Sequence, residues 1–400
     1  MHYSSLRPPV SERGLRVVIL TPYFDAHRML GVEREVVRLA NQLHDSGDQV
    51  RIVTSDHGWQ TGKISAQRPK DLINVIPVTY LHGRLSHSLR GFQASGAPIW
   101  MPISRSLVRD ADCCIIYNAG WPISLLLARA GSRAWPPIIY RTYWHPPSGR
   151  SRLVNRMRNI VVRIVFSRAQ LLVSPTESER VTLLALVGNE AQTIVVEPGV
   201  DLPVLRDFAK TRREVRDDLE CHRKTLLVVQ VGAPGVFKGT DVALDTVGEL
   251  NERGIDARLL LVGQNSGDGW IEKELLRRGQ PTWVKHISSA SDIEKSQLLA
   301  AADVLLMFSR YEAYGFVALE GIAHETRVVA WSDFPSALEL ARYGVRLVDR
   351  DEGVAGVARA IFGSEDRGFM AKKLRTWSDF ADEMKSAIRR VALSTRTPDF

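Results

Sequence analysis

The chain predicts an α/β fold of two parallel sheets, each wrapped by helices. Three observations carry that expectation. Short apolar runs alternate with helical patterns along the chain, the layout of βαβ units. The alternation stops at Pro198-Gly199-Val200-Asp201 and then restarts, which divides the chain in two. The 400 residues, 44% of them hydrophobic, suit two or three domains at about 150 residues each.

In the first half, apolar runs at 15–20, 49–54, 74–80, 113–117, 138–141, 171–174 and 193–197 predict strands. The second half adds 225–231, 257–262, 283–286, 304–308 and 327–330, after a charged, helical-looking run at 205–224. Such runs are near-continuously apolar because a parallel strand is covered on both faces. The expected organisation is a disordered lead at 1–14, a first domain at 15–198, a second at 199–375, and a terminal helix and tail at 376–400. Neither a short-period repeat nor a low-complexity segment is evident.

Composition narrows the function. No run of about 18 apolar residues exists, so no membrane span is expected. Residues 1–14 lack the apolar core of a signal peptide. Three cysteines, Cys113, Cys114 and Cys221, make no disulfide framework and no CxxC. The expected location is cytoplasmic. The net charge of +8 is uneven: nine arginines and no Asp or Glu lie between Cys113 and Thr176. Such a field attracts phosphates or anionic lipid headgroups. No nucleic-acid module accompanies it. The arginines around 150–168 alternate with Leu153, Val154, Met157, Ile160, Val161, Ile164 and Val165. This reads either as a basic amphipathic helix lying on an anionic membrane or as a core-packed helix with solvated arginines.

The most informative stretch is Ser309-Arg310-Tyr311-Glu312-Ala313-Tyr314-Gly315-Phe316-Val317-Ala318-Leu319-Glu320. It runs from a predicted strand into a predicted helix. At about 3.6 residues per turn, Glu320 can face the same side as the loop that carries Glu312. Between them, Ala313, Tyr314, Gly315 and Phe316 offer backbone N–H groups at a helix start, where a phosphate binds readily. One carboxylate can take sugar hydroxyls, the other ribose hydroxyls, and the amides a pyrophosphate. The same spacing is met by a helix start with a buried salt bridge and a surface glutamate. A second strand-to-helix loop, Val231-Gly232-Ala233-Pro234-Gly235-Val236-Phe237-Lys238-Gly239, lets backbone approach a phosphate and supplies Lys238 as a point charge.

The 309–320 segment resembles the E-x7-E signature of retaining glycosyltransferases of family 4, which have the GT-B fold. The resemblance implies two Rossmann-like domains facing a cleft, with a C-terminal helix crossing back to the first domain. Several other segments match it. Lys238 and Gly239 fit the family's Gly-Arg-x4-Lys-Gly loop, but Ala233 stands where the family has Arg. Arg28 and Arg310 are the candidate substitutes for that phosphate contact. Gly31-Val32-Glu33-Arg34 resembles Gly-Gly-x-Glu-Arg with only its second glycine. Glu197-Pro198-Gly199-Val200-Asp201 looks like the family's Pro-Asn-Gly-Val-Asp linker, and Trp377 like its terminal tryptophan.

The roles implied are these. Lys238, Gly239, Gly31 and the amides of 313–316 hold the donor diphosphate. Glu312 binds sugar hydroxyls and Glu320 the ribose. His145, just past the 138–141 strand, sits beside the sugar, unless it is merely a histidine packed in a Trp/Pro-rich loop. The base is expected near Gly263 and His286. The expected activity is transfer of a sugar from a nucleotide diphosphate sugar to a carbohydrate or lipid-linked hydroxyl. No cofactor and no metal are expected. Asp110-Ala111-Asp112 spells DxD but directly precedes a strand, and the other histidines show no ligand spacing. Two alternatives stay open: a GT-B sugar-nucleotide hydrolase or epimerase, and a degenerate donor-binding scaffold, for which Ala233 and the missing first glycine near residue 30 argue.

Overall fold

The computed structural model describes residues 14–21, 31–55, 57–58, 62–63, 74–78, 105–108, 110–117, 135–144, 152–167, 169–188, 193–203, 205, 207–265, 269–310, 312–363 and 374–394. The chain forms two compact units: Met1–Gly199 with Trp377–Phe400, and Val200–Thr376.

In the first unit the strands are β1 (Arg16–Leu20), β2 (Gln49–Ser55), a small hairpin of β3 (His57–Gly58) and β4 (Gly62–Lys63), β5 (Asn74–Val78), β6 (Cys113–Tyr117), β7 (Ile138–Arg141), β8 (Leu171–Ser174) and β9 (Thr193–Val195). Seven of them form one sheet in the order β5-β2-β1-β6-β7-β8-β9. Every pair in it is parallel. β6, β7 and β8 are buried along their whole length, which accounts for runs such as Cys-Cys-Ile-Ile-Tyr. Burial pushes the Cys113 and Cys114 thiols well above their usual range, so neither is a ready nucleophile. Asp112 is 4% exposed, and its carboxylate accepts the Arg16 N–H at 2.8 Å. The second carboxylate of the DxD therefore holds the start of β1 beside β6.

In the second unit β10 (Leu226–Val231), β11 (Ala257–Val262), β12 (Val284–Ile287), β13 (Val304–Met307), β14 (Arg327–Trp331) and β15 (Arg346–Val348) form a parallel sheet in the order β12-β11-β10-β13-β14-β15. In each sheet the order reverses beside the first strand of its unit, between β1 and β6 and between β10 and β13. In doubly wound sheets, ligands bind beyond the carboxyl ends of the strands at that reversal.

The helices follow the sequence pattern. α1 (Gly31–Asp45) buries Val36, Leu39, Ala40 and Leu43, one face of a helix with about 3.6 residues per turn. α2 (Arg105–Val108) is a single turn. α3 spans Arg152–Phe166 and α4 Glu177–Val187. The charged run at 205–224 lies in the second unit and narrows to α5 (Phe208–Asp218), capped by Asp207, whose carboxylate accepts the Lys210 N–H at 2.8 Å. The second unit continues with α6 (Thr240–Glu252), α7 (Trp270–Arg277), α8 (Asp292–Ala301), α9 (Phe316–Ala323), α10 (Ala337–Arg342) and α11 (Gly353–Phe362). The last helix, α12 (Trp377–Ser394), belongs to the first unit, packs on α1 and buries Phe380, Met384, Ile388 and Val391.

Some strand limits differ from expectation for local reasons. Thr225 stays outside β10, where its hydroxyl bonds Asp256 and its N–H donates to the His222 carbonyl. Phe308 lies past β13, and its carbonyl accepts the Trp331 indole N–H at 3.2 Å. β15 was not anticipated, because three residues between Gly344 and Asp349 make too short a run to read.

Phe380 is fully buried and stacks on the Arg141 guanidinium at 5.4 Å. Its replacement by Ala should cost about 3–5 kcal/mol. Urea denaturation followed by circular dichroism checks this, with a midpoint well below that of the wild type as the expected result.

Candidate active site

Two loops meet at the reversal point of the second sheet. One leaves β10 and runs through Gly232–Pro234 into a 3₁₀ turn, Val236–Lys238, before α6. The other leaves β13 and enters α9 at Gly315. Gly239 makes their approach possible. Its φ is +69°, and a Cβ there would lie 2.0 Å from the Phe308 carbonyl oxygen. Any side chain would drive the loops apart. Gly315, at φ +89°, starts α9 against Met307 and Leu340. Gly263, after β11, passes so close to Gly232 that a Cβ would lie 2.3 Å from its carbonyl oxygen.

That packing brings Lys238 to Glu312. Lys238 Nζ lies 3.1 Å from Glu312 Oε2, with the two side chains 30% and 20% exposed. Ser309 Oγ donates to the same carboxylate oxygen at 3.3 Å. Gln230 Nε2 donates to the Lys238 carbonyl at 3.0 Å, which fixes the turn from below. Sequence reasoning singled out Lys238 and Glu312 separately, and the structure places them in one ion pair.

Glu320 has its own lysine. Lys295 Nζ, on α8, lies 2.8 Å from Glu320 Oε1, with the side chains 18% and 13% exposed. The Glu320 carbonyl accepts from His324 Nδ1 at 2.7 Å, so Nε2 of that ring accepts from the Ser296 hydroxyl. Burial holds the His324 pKa below its usual value, which keeps this neutral tautomer. Lys295 was missed from sequence, although a signal existed. It sits three and four residues before the buried Leu298 and Leu299, and a lysine on that stripe requires a partner.

Arg310 donates to Asp241 at 2.9 Å and to the Val236 carbonyl at 3.0 Å. It braces the two loops against each other on their exposed side and is already committed to a carboxylate. Arg350, also missed, lies 5.2 Å over the Trp331 ring and donates to the Ser309 carbonyl at 3.2 Å. Its other arm binds Asp333 at 2.6 Å. Tyr314 is buried and meets Phe316 edge-on at 5.2 Å; Ala313 is half-buried in the same loop. His286 Nε2 donates to the Gly263 carbonyl at 2.9 Å, so the two residues expected near the base touch each other.

In the first unit Gly31 is the first residue of α1. Arg28 and His145 lie outside the described residues. Among the described residues, no group of three or more His, Cys, Asp or Glu side chains is arranged to hold a metal ion. β7 ends on a buried ion pair that the sequence did not announce. Arg141 Nε lies 2.7 Å from Glu35 Oε1, both side chains wholly buried. The guanidinium also donates to the Val196 carbonyl at 2.8 Å, and the Tyr143 hydroxyl bonds Glu35. Glu35 and Arg141 are 106 residues apart, so no local pattern reveals the pair.

Comparison with known proteins bears on both halves. Residues 31–199 match the family described as glycosyl transferase 4-like domain, and residues 211–361 match glycosyl transferases group 1. The D-inositol 3-phosphate glycosyltransferase of Corynebacterium aurimucosum is 30% identical over 352 residues, 82% of this chain and 78% of the relative. The GDP-mannose-dependent α-(1-6)-phosphatidylinositol dimannoside mannosyltransferase of Mycobacterium tuberculosis is 29% identical over 215 residues. That match takes in 52% of this chain and 55% of the relative, so here the chain spans about half the length of the protein it resembles. Among solved structures, sucrose-phosphate synthase from Thermosynechococcus elongatus aligns with a TM-score of 0.72 at 17% identity, covering 95% of this chain and 100% of that one. The fold is GT-B.

Gly239→Ala should destabilise the second unit by roughly 2 kcal/mol or more, since it combines a clash with strain at positive φ. Thermal unfolding reads it; a melting temperature equal to that of the wild type would refute the tight approach.

Proposed function

We propose a function that starts from one fact: the chain belongs to the family 4 glycosyltransferases. It moves a sugar from a nucleotide diphosphate sugar to an acceptor hydroxyl with retention of anomeric configuration and without a metal ion. The single observation that carries the reading is the Lys238–Glu312 pair at the sheet's reversal point. Without donor, the two charges neutralise each other. A donor would divide them, Lys238 taking the diphosphate and Glu312 the hydroxyls of the sugar. Glu320 would hold the ribose, steadied by Lys295.

The chemistry needs charge placed where it develops. The bond between the anomeric carbon and the diphosphate oxygen breaks, and a bond to the acceptor oxygen forms on the same face. The acceptor's proton passes to the departing diphosphate oxygen. Lys238 and the amides near Gly315 stabilise that diphosphate, and His145 is the residue that the family resemblance assigns to the sugar.

One relative named above is named for D-inositol 3-phosphate and the other for phosphatidylinositol dimannoside, which supports an acceptor that carries a phosphoinositol group, lipid-linked in the second case. A cytoplasmic protein docked on the inner face of an anionic membrane fits that acceptor. In α3, Arg156, Ile160, Arg163 and Ile164 are exposed, Ile160 by 52% and Ile164 by 39%, while Val162, Val165 and Phe166 are buried. Paired arginines and isoleucines on one open face suit lipid headgroups and the acyl boundary beneath them. No helix among the described residues is long and apolar enough to cross a membrane.

A thermal-shift screen with UDP, GDP, ADP and TDP tests the donor site, since a ligand bound only by the native state raises the melting temperature. One nucleotide should give a clear shift that EDTA leaves unchanged. No shift with any of them would overturn the reading and favour a scaffold. With that donor, Glu320→Ala should mainly raise its KM, and Glu312→Ala should mainly cut kcat by about 10²-fold.

Vesicle co-sedimentation tests the membrane face. The chain should bind phosphatidylglycerol vesicles and not phosphatidylcholine ones. At about 1 kcal/mol per basic residue, Arg156→Glu with Arg163→Glu should weaken binding by at least about tenfold. Equal binding by the double variant would contradict the docking face.

A further inference from the structure

Three successive carbonyls at the exit of β13 are held by side chains from the neighbouring strands. The Phe308 carbonyl accepts the Trp331 indole N–H at 3.2 Å. The Ser309 and Arg310 carbonyls both accept from Arg350 Nη2, at 3.2 and 3.4 Å. Trp331 ends β14, and Arg350 follows β15. Arg350 therefore reaches past β14 to the end of β13, two strand spacings or about 9–10 Å away.

The reach is built from both ends. Beyond their last paired residues, β14 and β15 stay laced together: the Ser332 N–H donates to the Val348 carbonyl at 3.0 Å, the Ser332 hydroxyl bonds Asp349, and Arg350 Nε lies 2.6 Å from Asp333 Oδ2. The guanidinium then lies 5.2 Å over the Trp331 ring, which is itself stacked on Phe308 at 4.5 Å. A lysine has no planar fork with which to lie on the ring and bond both sides at once. The Arg350–Asp333 pair, with side chains 36% and 54% exposed, adds little to stability by itself. Its consequence lies at Ser309. That residue is buried; Arg350 holds its carbonyl, and its hydroxyl donates to Glu312 Oε2 at 3.3 Å. Among the described residues the Glu312 carboxylate has two partners, Lys238 and Ser309. If a donor draws Lys238 away, Ser309 is the contact that remains to orient Glu312.

We propose that Arg350 is a positioning residue for Glu312, acting through Ser309, in the donor-bound state. This rests on the reading of Glu312 as the group that holds the sugar. A displacement of about 1 Å can cost about 10²-fold in rate, so the placing of one serine has a large lever.

Two measurements on the full chain test the proposal. The first is amide hydrogen exchange of the peptide spanning 304–310, which requires no substrate. Exchange should quicken about tenfold or more in Arg350→Met, which loses the charged donor, and stay at the wild-type rate in Ser309→Ala, which keeps the carbonyl. Unchanged exchange in Arg350→Met would overturn the proposal. The second is steady-state kinetics with GDP-mannose and UDP-glucose as donors and phosphatidylinositol vesicles as acceptor. Arg350→Met and Ser309→Ala should each lower kcat by about 10- to 100-fold and leave the donor KM unchanged. In a Glu312→Ala background neither should lower kcat further, because both act through the carboxylate that is already gone. A merely structural role would add its own loss in that background, and such additivity would overturn the proposal. If Arg350→Met does not fold, Arg350→Lys serves, since it keeps the charge and loses the fork. Glu312→Ala alone separates the two claims. Full kcat in Glu312→Ala would refute the role of Glu312 and this proposal with it. A loss in Glu312→Ala with full kcat in Arg350→Met would refute this proposal alone.

Discussion

The contact on which the second unit's site depends is between two backbones. Gly239 lies against the Phe308 carbonyl so closely that no side chain fits between them. Parallel pairing of β10 with β13 brings the loops to the same end of the sheet. The glycine closes the remaining distance and sets the 3₁₀ turn beside the Ser309–Gly315 loop. Everything chemical at that point follows: Lys238 meets Glu312, Gln230 supports the turn, and Arg310 and Arg350 clamp the loops from outside.

The electrostatics have a common design. Each of the two glutamates of the signature carries a lysine, Glu312 with Lys238 and Glu320 with Lys295. Partly exposed pairs of this kind add little to stability. They do keep four charged groups ordered and neutral in sum until a ligand arrives. A polyanionic ligand with many hydroxyls suits such an arrangement, because it supplies acceptors for the lysine and donors for the glutamate together. The first unit uses the opposite regime. Glu35 and Arg141 are wholly buried, where removing either partner would strand a charge at a cost of about 3–5 kcal/mol. That pair joins α1, β7 and the end of β9, and Phe380 of α12 covers its guanidinium.

Much of this was legible in the sequence, because parallel sheets write themselves as apolar runs. Cys113–Tyr117, Ile138–Arg141, Leu171–Ser174 and Ala257–Val262 were found to the residue. The signature loops were legible as well, since glycines and charged residues between a strand and a helix have few other reasons to recur. What stayed hidden was pairing. Nothing near Arg141 points to Glu35, and nothing near Glu320 points to α8. Thr176-Glu177-Ser178-Glu179 spells a capping box, of which the fold keeps the Thr176 half and gives the Glu179 carboxylate to the Trp144 N–H. Arg310 is a candidate phosphate contact from the family resemblance, and its bond to Asp241 is visible only in the fold.

The most direct test of the central claim is calorimetric titration of GDP and UDP into the wild type and Lys238→Met. If Lys238 leaves Glu312 to take a diphosphate, the variant should bind the preferred nucleotide about 10- to 100-fold more weakly, the worth of a charge-assisted hydrogen bond. The corresponding nucleoside, which has no phosphate, should bind both proteins alike. Equal diphosphate affinity in the two proteins would contradict the account and leave the Lys238–Glu312 pair as a brace between two loops.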